Sequence, residues 1–415
     1  MEGGVGGIGL SRRRRCWWVH SLCRARRNWR RLGQCGLLNF TFAEHESSVT
    51  LALYPERLAR CSAARQPRQG LPSGGRDANG GQQVLREFAG MAVTRFDITG
   101  IGNAIVDYLL PADDTFLSRH NMPKGAMSLI DADTATRLTA AMAGGLTASG
   151  GSVANSCAVA AALGARVAFL GKVGPDEMGE VFRREIAASG VHYATAPLDA
   201  AIPTARCLIL VTPDGQRTMN TYLGAGGEFA LRDLDETIIA ASAVTYLEGY
   251  LFDPPAAQEA FAEAARMARA AGQKTALSLS DAFCVDRHRD GFRRLIAAGV
   301  DILFANEAEV CSLYECNEFA DAAVQAARDI PLAVLTRSEK GSIILQDGNI
   351  VEIEAVPTQV IDTTGAGDAY AAGFLAAYAR GRSLEEAGRL GARAAALTIS
   401  QIGARPQPGA LRHLV

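Results

Sequence analysis

Between residues 231 and 336, short apolar segments alternate with longer segments that have a helical pattern. The apolar segments predict strands over residues 243–247, 275–279, 300–304 and 332–336. The segments between them predict helices over residues 231–240, 254–271 and 285–298. Strands that alternate with helices of this length form a parallel sheet that helices cover on both faces. The sequence therefore predicts an α/β fold with a doubly wound, mostly parallel sheet.

Three positions lie at or just past the ends of predicted strands. Asn306, Thr336 and Gly365 each follow an apolar segment. In open α/β sheets, ligands bind beyond the carboxyl ends of the strands. We therefore expect these residues to meet at one edge of the sheet.

The glycine turn at Gly365-Ala366-Gly367 joins a β-branched segment to a helix of small residues. Glycines permit a tight turn and leave free N–H groups at a helix start, where the helix dipole also favours an anion. Asp368 follows this turn, where a lone acid would repel phosphate. An acid is useful there if it takes a proton from a hydroxyl that attacks the phosphate. Taken alone, the segment equally fits an ordinary turn followed by a first-turn acid.

Polar residues and glycines also interrupt the chain closer to its start. Asn103 and Asp107 break an apolar run, and each alone is more simply a turn residue. Ser152 follows Gly150-Gly151 as a predicted N-cap, which places Asn155 in the first turn of the next helix. Segments 204–212 and 217–222 flank an Asp-Gly turn and predict a hairpin outside the main sheet.

Composition excludes several classes of protein. Residues 91–415 carry 27 basic and 38 acidic residues, which argues against nucleic acid as a partner. No apolar run approaches the roughly 18 residues that span a membrane. The five cysteines of this part show no metal-ligand spacing, and their odd number argues against a complete disulfide framework. We expect a reducing compartment, the cytoplasm. There is no G-x-x-x-x-G-K-[ST] phosphate loop and no His-based or Cys-based nucleophile motif.

The first ninety residues have a different composition. They carry 15 arginines, no lysine and 6 acidic residues, without a sustained helix or strand period. Three interpretations stay open: an organellar presequence, a nucleic-acid or membrane tail, and sequence translated upstream of a true start at Met91. We favour the last and expect residues 1–90 to be disordered, because such a composition buries little apolar surface.

Five motifs occur in order in the second part: Gly102–Asp107, Gly150–Ser156, Val300–Glu309, Ile361–Ala369 and Ile402–Pro406. Together they resemble the ribokinase-like, or phosphofructokinase B, carbohydrate kinases, and most of all the adenosine kinases among them. The resemblance implies a kinase domain over residues 91–415, in which a small β-sheet lid covers the acceptor. Its strands would come from about 101–130 and 203–223.

The resemblance also implies roles for individual residues. Asp368 would be the catalytic base, the backbone N–H groups of Gly365, Ala366 and Gly367 would form an anion hole, and Arg217 would reach the phosphates from the lid. The acceptor would bind to Asn103, Asp107, Gly151 and Asn155, with Asp107 accepting from two sugar hydroxyls.

On the nucleotide side, the resemblance implies that ATP binds to Thr336, Arg337, Gly341, Thr363, Gly365 and Gly367. In the loop before Gly341, Ser338 replaces a glycine that is frequent in the family. Asn306 and Glu309 would hold Mg²⁺ through its waters. Asp362, Thr364 and Gly403 would form a monovalent-cation site for K⁺.

The resemblance implies ATP-dependent phosphorylation of the 5′-hydroxyl of adenosine. The alternatives are a sugar kinase of the same family, acting on ribose or fructose, and a non-catalytic nucleotide-binding regulator. An apolar slot for a purine would distinguish adenosine from a sugar, and the candidates for it are Met127, Leu129, Cys207, Ile209 and Tyr222. Small molecules are the expected partners, with neither nucleic acid nor membrane, and we expect a monomer.

Overall fold

The computed structural model describes residues 95–125, 127–142, 144–214, 216–407 and 409–414. The predictions made for residues 1–90 therefore lie outside the described residues. Among the described helices, none is long and apolar enough to cross a membrane. The five cysteines of this part are free thiols.

The described chain alternates between strands and helices. Its strands are β1 (Phe96–Ile101), β2 (Ile105–Pro111), β3 (Met127–Leu129), β4 (Leu146–Ser149), β5 (Val167–Leu170), β6 (His192–Tyr193), β7 (Ala205–Val211), β8 (Arg217–Tyr222), β9 (Ser242–Glu248), β10 (Lys274–Ser278), β11 (Ile302–Asn306), β12 (Leu332–Thr336), β13 (Ser342–Gln346) and β14 (Asn349–Ile353). Its α-helices are α1 (Asp114–Arg119), α2 (Ala132–Ala141), α3 (Ser152–Ala162), α4 (Glu177–Ala188), α5 (Glu236–Ala240), α6 (Pro255–Ala270), α7 (Ala282–Gly299), α8 (Glu307–Tyr314), α9 (Phe319–Asp329), α10 (Ala366–Tyr378) and α11 (Leu384–Ile399).

Nine strands form the larger sheet, in the order β14-β13-β12-β11-β10-β9-β1-β5-β6. The strands from β12 to β6 are parallel, and β13 and β14 extend one edge as antiparallel strands. One core lies between this sheet and α3 and α10, and a second core lies on the opposite face against α6 and α7. The predicted doubly wound, mostly parallel sheet is confirmed, because apolar side chains of the central strands are buried on both faces.

The smaller sheet has five strands in the order β3-β8-β7-β2-β4. Strands β7 and β8 form the predicted hairpin, with Ile209 opposite Met219. Strand β4 lies outside the stretches predicted for the lid. It joins the smaller sheet by antiparallel pairing with β2, where Ala148 lies opposite Asp107. Leu146 on β4 is largely exposed, so this strand lacks the apolar pattern that would have indicated it.

The two faces of the smaller sheet differ. One face carries Leu208 and Leu210, which pack against Leu117 of α1 and Leu138 of α2. We call the opposite face, which carries Asp107 and its neighbours on the adjacent strands, the site-facing side. It presents an apolar cluster formed by Ile105, Cys207, Ile209, Leu109, Val211 and Met219.

Two local predictions are wrong. The β-branched segment before Gly365 is not a strand of the sheet, because the β ladder ends with β14. Instead, the N–H groups of Ile361 and Asp362 donate to the carbonyl of Ile399 at the end of α11. Ser152 is the first residue of α3, and the N-cap is Gly151 at φ +92°. The hydroxyl of Ser152 is therefore free to bond elsewhere.

Candidate active site

Asp368 lies in the first turn of α10, at the carboxyl edge of the larger sheet. Its carboxylate accepts a hydrogen bond from Ser152 Oγ at 2.6 Å and one from Asn155 Nδ2 at 3.3 Å. Burial raises the pKa of Asp368 to about 6, although these two bonds and the charge of Arg405 lower it. At neutral pH the carboxylate is therefore mostly ionised and able to accept a proton.

The glycine turn before Asp368 is the segment predicted to form an anion hole. Gly365 has φ +76°, and a Cβ there would lie 2.7 Å from Ala404. A Cβ on Gly367 would meet nothing within 4 Å, so the backbone there is open to a ligand. Within the part of the chain that the structure describes, the N–H groups of Gly365 and Gly367 have no partner, whereas that of Ala366 donates to Thr363 O at 3.2 Å. Two of the three predicted donors are thus free for a phosphate.

The predicted acceptor residues meet beside Asp368. Asn103 donates from Nδ2 to Glu248 Oε1 at 2.7 Å, and its buried Oδ1 has no partner among the described residues. A buried amide oxygen without a partner is costly unless a ligand donates to it. Asp107 faces Gly150, where a side chain would collide with the carboxylate. Burial raises the pKa of Asp107 to about 7, and Arg405 and Arg217 oppose this.

Glu248 is a site residue that the sequence analysis missed. It ends β9 and is almost fully buried. It accepts from the N–H groups of Asn103 at 3.2 Å and Val153 at 2.8 Å. It therefore joins the loop after β1 to the start of α3. Its position directly after the predicted strand 243–247 could have indicated it by the rule that indicated Asn306.

Arg405 is a second missed residue, although it belongs to a motif that carried the resemblance. Its guanidinium donates from Nε to Asn155 Oδ1 at 2.8 Å, from one terminal nitrogen to Ser149 Oγ at 2.5 Å, and from the other to Gly150 O at 3.3 Å. Burial lowers the pKa of Arg405, and the neighbouring carboxylates oppose this. Arginine stays charged under such conditions.

Arg217, predicted to reach the phosphates, forms an ion pair with Asp362 beside the glycine turn. Asp362 also accepts from Gly403 N at 2.7 Å and Thr364 N at 2.9 Å. Although burial raises the pKa of Asp362, these bonds and Arg217 bring it below its usual range. The three residues predicted to bind K⁺ therefore lie together, with two backbone N–H groups and the Arg217 guanidinium directed at the Asp362 carboxylate. The K⁺ site stays a prediction.

Asn306 and Glu309, predicted to hold Mg²⁺, form a reciprocal cap at the start of α8. Asn306 donates from N and Nδ2 to the Glu309 carboxylate at 2.9 and 2.6 Å, and Glu309 N donates to Asn306 Oδ1 at 2.9 Å. In the described part of the chain, no group of three or more His, Cys, Asp or Glu residues could hold a metal directly. The pair fits Mg²⁺ only through its waters, which this ion keeps readily.

Of the predicted nucleotide residues, Thr336 lies on the same edge as Asn306, because the two residues pair across β12 and β11. Arg337 donates to Glu307 Oε1 at 2.9 Å, so its guanidinium already has a partner. Gly341 has φ +81°, and a Cβ there would collide with the carbonyl of Ile353, which explains the glycine by packing. Thr363 is exposed, two residues before Gly365.

The chain is similar in sequence and structure to known kinases. The structure of adenosine kinase from Sinorhizobium meliloti is 51% identical, with a TM-score of 0.71 over 75% of this chain and 96% of that chain. The structure of a probable sugar kinase from Rhizobium etli is 47% identical, with a TM-score of 0.72 over 76% of this chain and 96% of that chain. A nucleoside kinase of Methanothermobacter thermautotrophicus is 29% identical over 259 residues, which are 61% of this chain and 79% of that protein.

The fold and the site define a class of enzyme. An acid beside a helix start with free N–H groups, under a second sheet, is the arrangement of a kinase that phosphorylates a small molecule. The model of the pfkB family of carbohydrate kinases matches residues 129–409. The chain belongs to this family, and it is an ATP-dependent sugar or nucleoside kinase.

Proposed function

We propose that the chain transfers the γ-phosphoryl group of ATP to the 5′-hydroxyl of adenosine, giving AMP and ADP. The observation that carries this proposal is the apolar cluster on the site-facing side of the smaller sheet, next to Asp107. A free sugar presents mainly hydroxyl groups and needs polar partners, whereas a purine buries a flat apolar surface. The cluster therefore favours a nucleoside as the acceptor.

The side-chain directions support part of the predicted purine slot. Cys207 lies opposite Asp107 in the β2–β7 register, and Ile209 lies two residues further on the same face. Met127 and Leu129 pair with Met219 and Thr221 in the β3–β8 register, which places them on the site-facing side as well. Tyr222 lies on the opposite face, because side chains alternate along a strand. We therefore propose a slot without Tyr222.

In the proposed reaction, the substrate hydroxyl gives its proton to the Asp368 carboxylate as its oxygen attacks the γ-phosphorus. The bond between that phosphorus and the bridging oxygen of ADP breaks, and ADP leaves with the electron pair. The N–H groups of Gly365 and Gly367 stabilise the negative charge on the transferring group. Bound Mg²⁺, held through its waters by Asn306 and Glu309, would neutralise charge on the phosphates.

Acceptor binding uses the polar groups beside Asp368. Asp107 accepts from the two ribose hydroxyls, which suits a carboxylate because it has several lone pairs and no proton to donate. The unpartnered Oδ1 of Asn103 is available to a further hydroxyl of the acceptor. The 51% identity to a protein described as adenosine kinase also supports adenosine over ribose.

The test is phosphoryl transfer from ATP by the full chain, with adenosine, ribose and fructose offered in parallel. Asp368→Asn should reduce turnover by about a thousandfold, because it removes the base while keeping the shape of the side chain. Asp290→Asn is the matched control, since Asp290 is an exposed residue of α7 and is not among the residues of the candidate site. We expect adenosine to be the substrate that is turned over.

Two outcomes would contradict the proposal. Turnover of ribose or fructose without adenosine would make the chain a sugar kinase with the same mechanism. Binding of ATP without turnover of any acceptor would support the regulator alternative.

A further inference from the structure

Arg405 reaches the floor of the acceptor site from the loop that follows α11. Its three hydrogen bonds join Ser149 at the end of β4, Gly150 in the glycine turn, and Asn155 on α3. These partners lie about 250 residues away in the sequence, at the junction of the smaller sheet and the larger sheet. A single guanidinium therefore ties together the elements that carry the acceptor residues.

The contact with Asn155 decides which way its amide points. Asn155 Oδ1 accepts from Arg405 Nε at 2.8 Å, so Nδ2 faces Asp368 and donates to its carboxylate at 3.3 Å. A guanidinium has only donors, and an ionised carboxylate has only acceptors. The amide thus satisfies both neighbours in one orientation, whereas a reversed amide would oppose Nδ2 to the guanidinium and Oδ1 to the carboxylate.

The guanidinium also places a positive charge among acidic groups. Its charge lowers the pKa of both Asp107 and Asp368, against the effect of burial. The other charged and titratable groups that face Asp368 are Asp107 on β2, Tyr246 and Glu248 on β9, Tyr250 after β9, and Glu309 on α8. These groups are all acidic, and Arg217 is engaged by Asp362.

We propose that Arg405 is a positioning residue for phosphoryl transfer, which holds the Asn155 amide toward Asp368 and keeps a positive charge beside the base. The proposal rests on the proposed function, because it takes Asp368 as the base. It goes further by assigning to the loop after α11 a role in the acceptor half of the site.

Three variants test the proposal: Arg405→Gln, Arg405→Lys and, as a matched control, Arg412→Gln. Arg412 is an exposed arginine of the same terminal segment. The measurement is kcat/KM for the acceptor as a function of pH, since its acid limb reports the pKa of the base in the free enzyme. A nearby opposite charge lowers a carboxylate pKa by about 1–3.

In Arg405→Gln, the acid limb should therefore move up by about 1 pH unit or more. Activity below pH 6 should fall at least tenfold further than activity at pH 9. Arg405→Lys keeps the charge but has no planar fork to bridge three partners. Its acid limb should stay in place while the KM for the acceptor rises about tenfold. Arg412→Gln should match the unchanged enzyme in both the acid limb and the KM for the acceptor.

A purely structural role would give a different result. If Arg405→Gln lowered activity by the same factor at every pH, the proposal would be overturned. It would also be overturned if Arg405→Lys kept the KM of the unchanged enzyme. If Arg405→Gln failed to fold, the KM of Arg405→Lys would still decide. Two controls separate this proposal from the proposed function. Full activity of Asp368→Asn would show that Asp368 is not the base and would overturn the role of Arg405, whereas failure of the unchanged enzyme to turn over adenosine would overturn the proposed function itself.

Discussion

Glu309 provides a test of the site that does not depend on turnover. Its side chain is buried, with 6% of its surface exposed, and its carboxylate accepts only from Asn306 among the described residues. Burial raises its pKa from an ordinary value of 4.5 to about 7, and the charges of Asp281 and Asp368 add to this. At neutral pH the folded protein therefore holds a carboxylate that is costly to ionise.

The sign of the pH dependence follows from these values. Between pH 4.5 and pH 7 the folded protein keeps a proton that the unfolded chain has lost, so the free energy of unfolding falls as pH rises. Above pH 7 this decrease in the free energy of unfolding is complete. The difference between the folded and unfolded pKa values of Glu309 corresponds to about 3 kcal/mol. Glu309→Gln removes this loss but gives up one accepted hydrogen bond of the cap, which costs about 1 kcal/mol. We expect a net stabilisation of about 2 kcal/mol at pH 8 and a destabilisation of about 1 kcal/mol at pH 4.

The assay is urea unfolding of the full chain at several pH values between 4 and 8, with and without the substitution. Glu307→Gln is the control on the same helix, because hydrogen bonding to Arg337 lowers the pKa of Glu307. Its effect should run in the opposite direction, with stability lost at neutral pH. A difference between Glu309→Gln and the unchanged protein that stays constant with pH would refute the reasoning. If Glu309 also holds the waters of Mg²⁺, the stabilised variant should lose ATP turnover.

Three further substitutions have expected outcomes. Ser338 has φ +52°, in the left-handed region, so Ser338→Gly should raise the free energy of unfolding by about 1 kcal/mol, measured by urea titration. Gly365→Ala should lower ATP turnover by about a hundredfold, because φ +76° and the nearby Ala404 force the anion hole to move; turnover within twofold of the unchanged enzyme would argue against that anion hole. Lys172→Met should lower stability by about 3–5 kcal/mol by leaving the buried Asp233 unpaired, and an unchanged melting midpoint would contradict this.

Much of the fold was predictable because its signals are local. The alternation of apolar and helical segments predicted the parallel sheet, and the Asp-Gly turn predicted the β7–β8 hairpin. The rule that ligands bind beyond strand ends predicted that Asn306 and Thr336 would meet, and they are paired residues of neighbouring strands. Strand β4 and the irregular segment before Gly365 were not predictable, because the conformation of each depends on a distant partner. Strand β4 pairs with β2, and the segment before Gly365 bonds to the end of α11.

The candidate site divides in the same way. The residue types of Asp368, Asp107 and Asn155 were readable in their motifs, whereas the networks that orient them were not. Arg405 bonds to Asn155 across 250 residues of sequence, and Glu248 bonds to Asn103 across 145. Contacts between residues so far apart in the sequence produce no local pattern from which they could be predicted.

The sequence by itself determined which chemical groups the chain carries and the order in which strands and helices bring them to one edge of a sheet. Local spacing, turn residues and apolar patterning are sufficient for this, because they act over a few residues. Only the tertiary structure decided that Asp362 pairs with Arg217, that Tyr222 lies on the opposite face of the smaller sheet from Cys207, and that Arg405 bonds to Asn155. Those outcomes depend on strand register and on contacts between distant segments. A register shift of one residue moves every side chain of a strand to the other face of the sheet, and displacements of about an ångström change which groups can form a hydrogen bond.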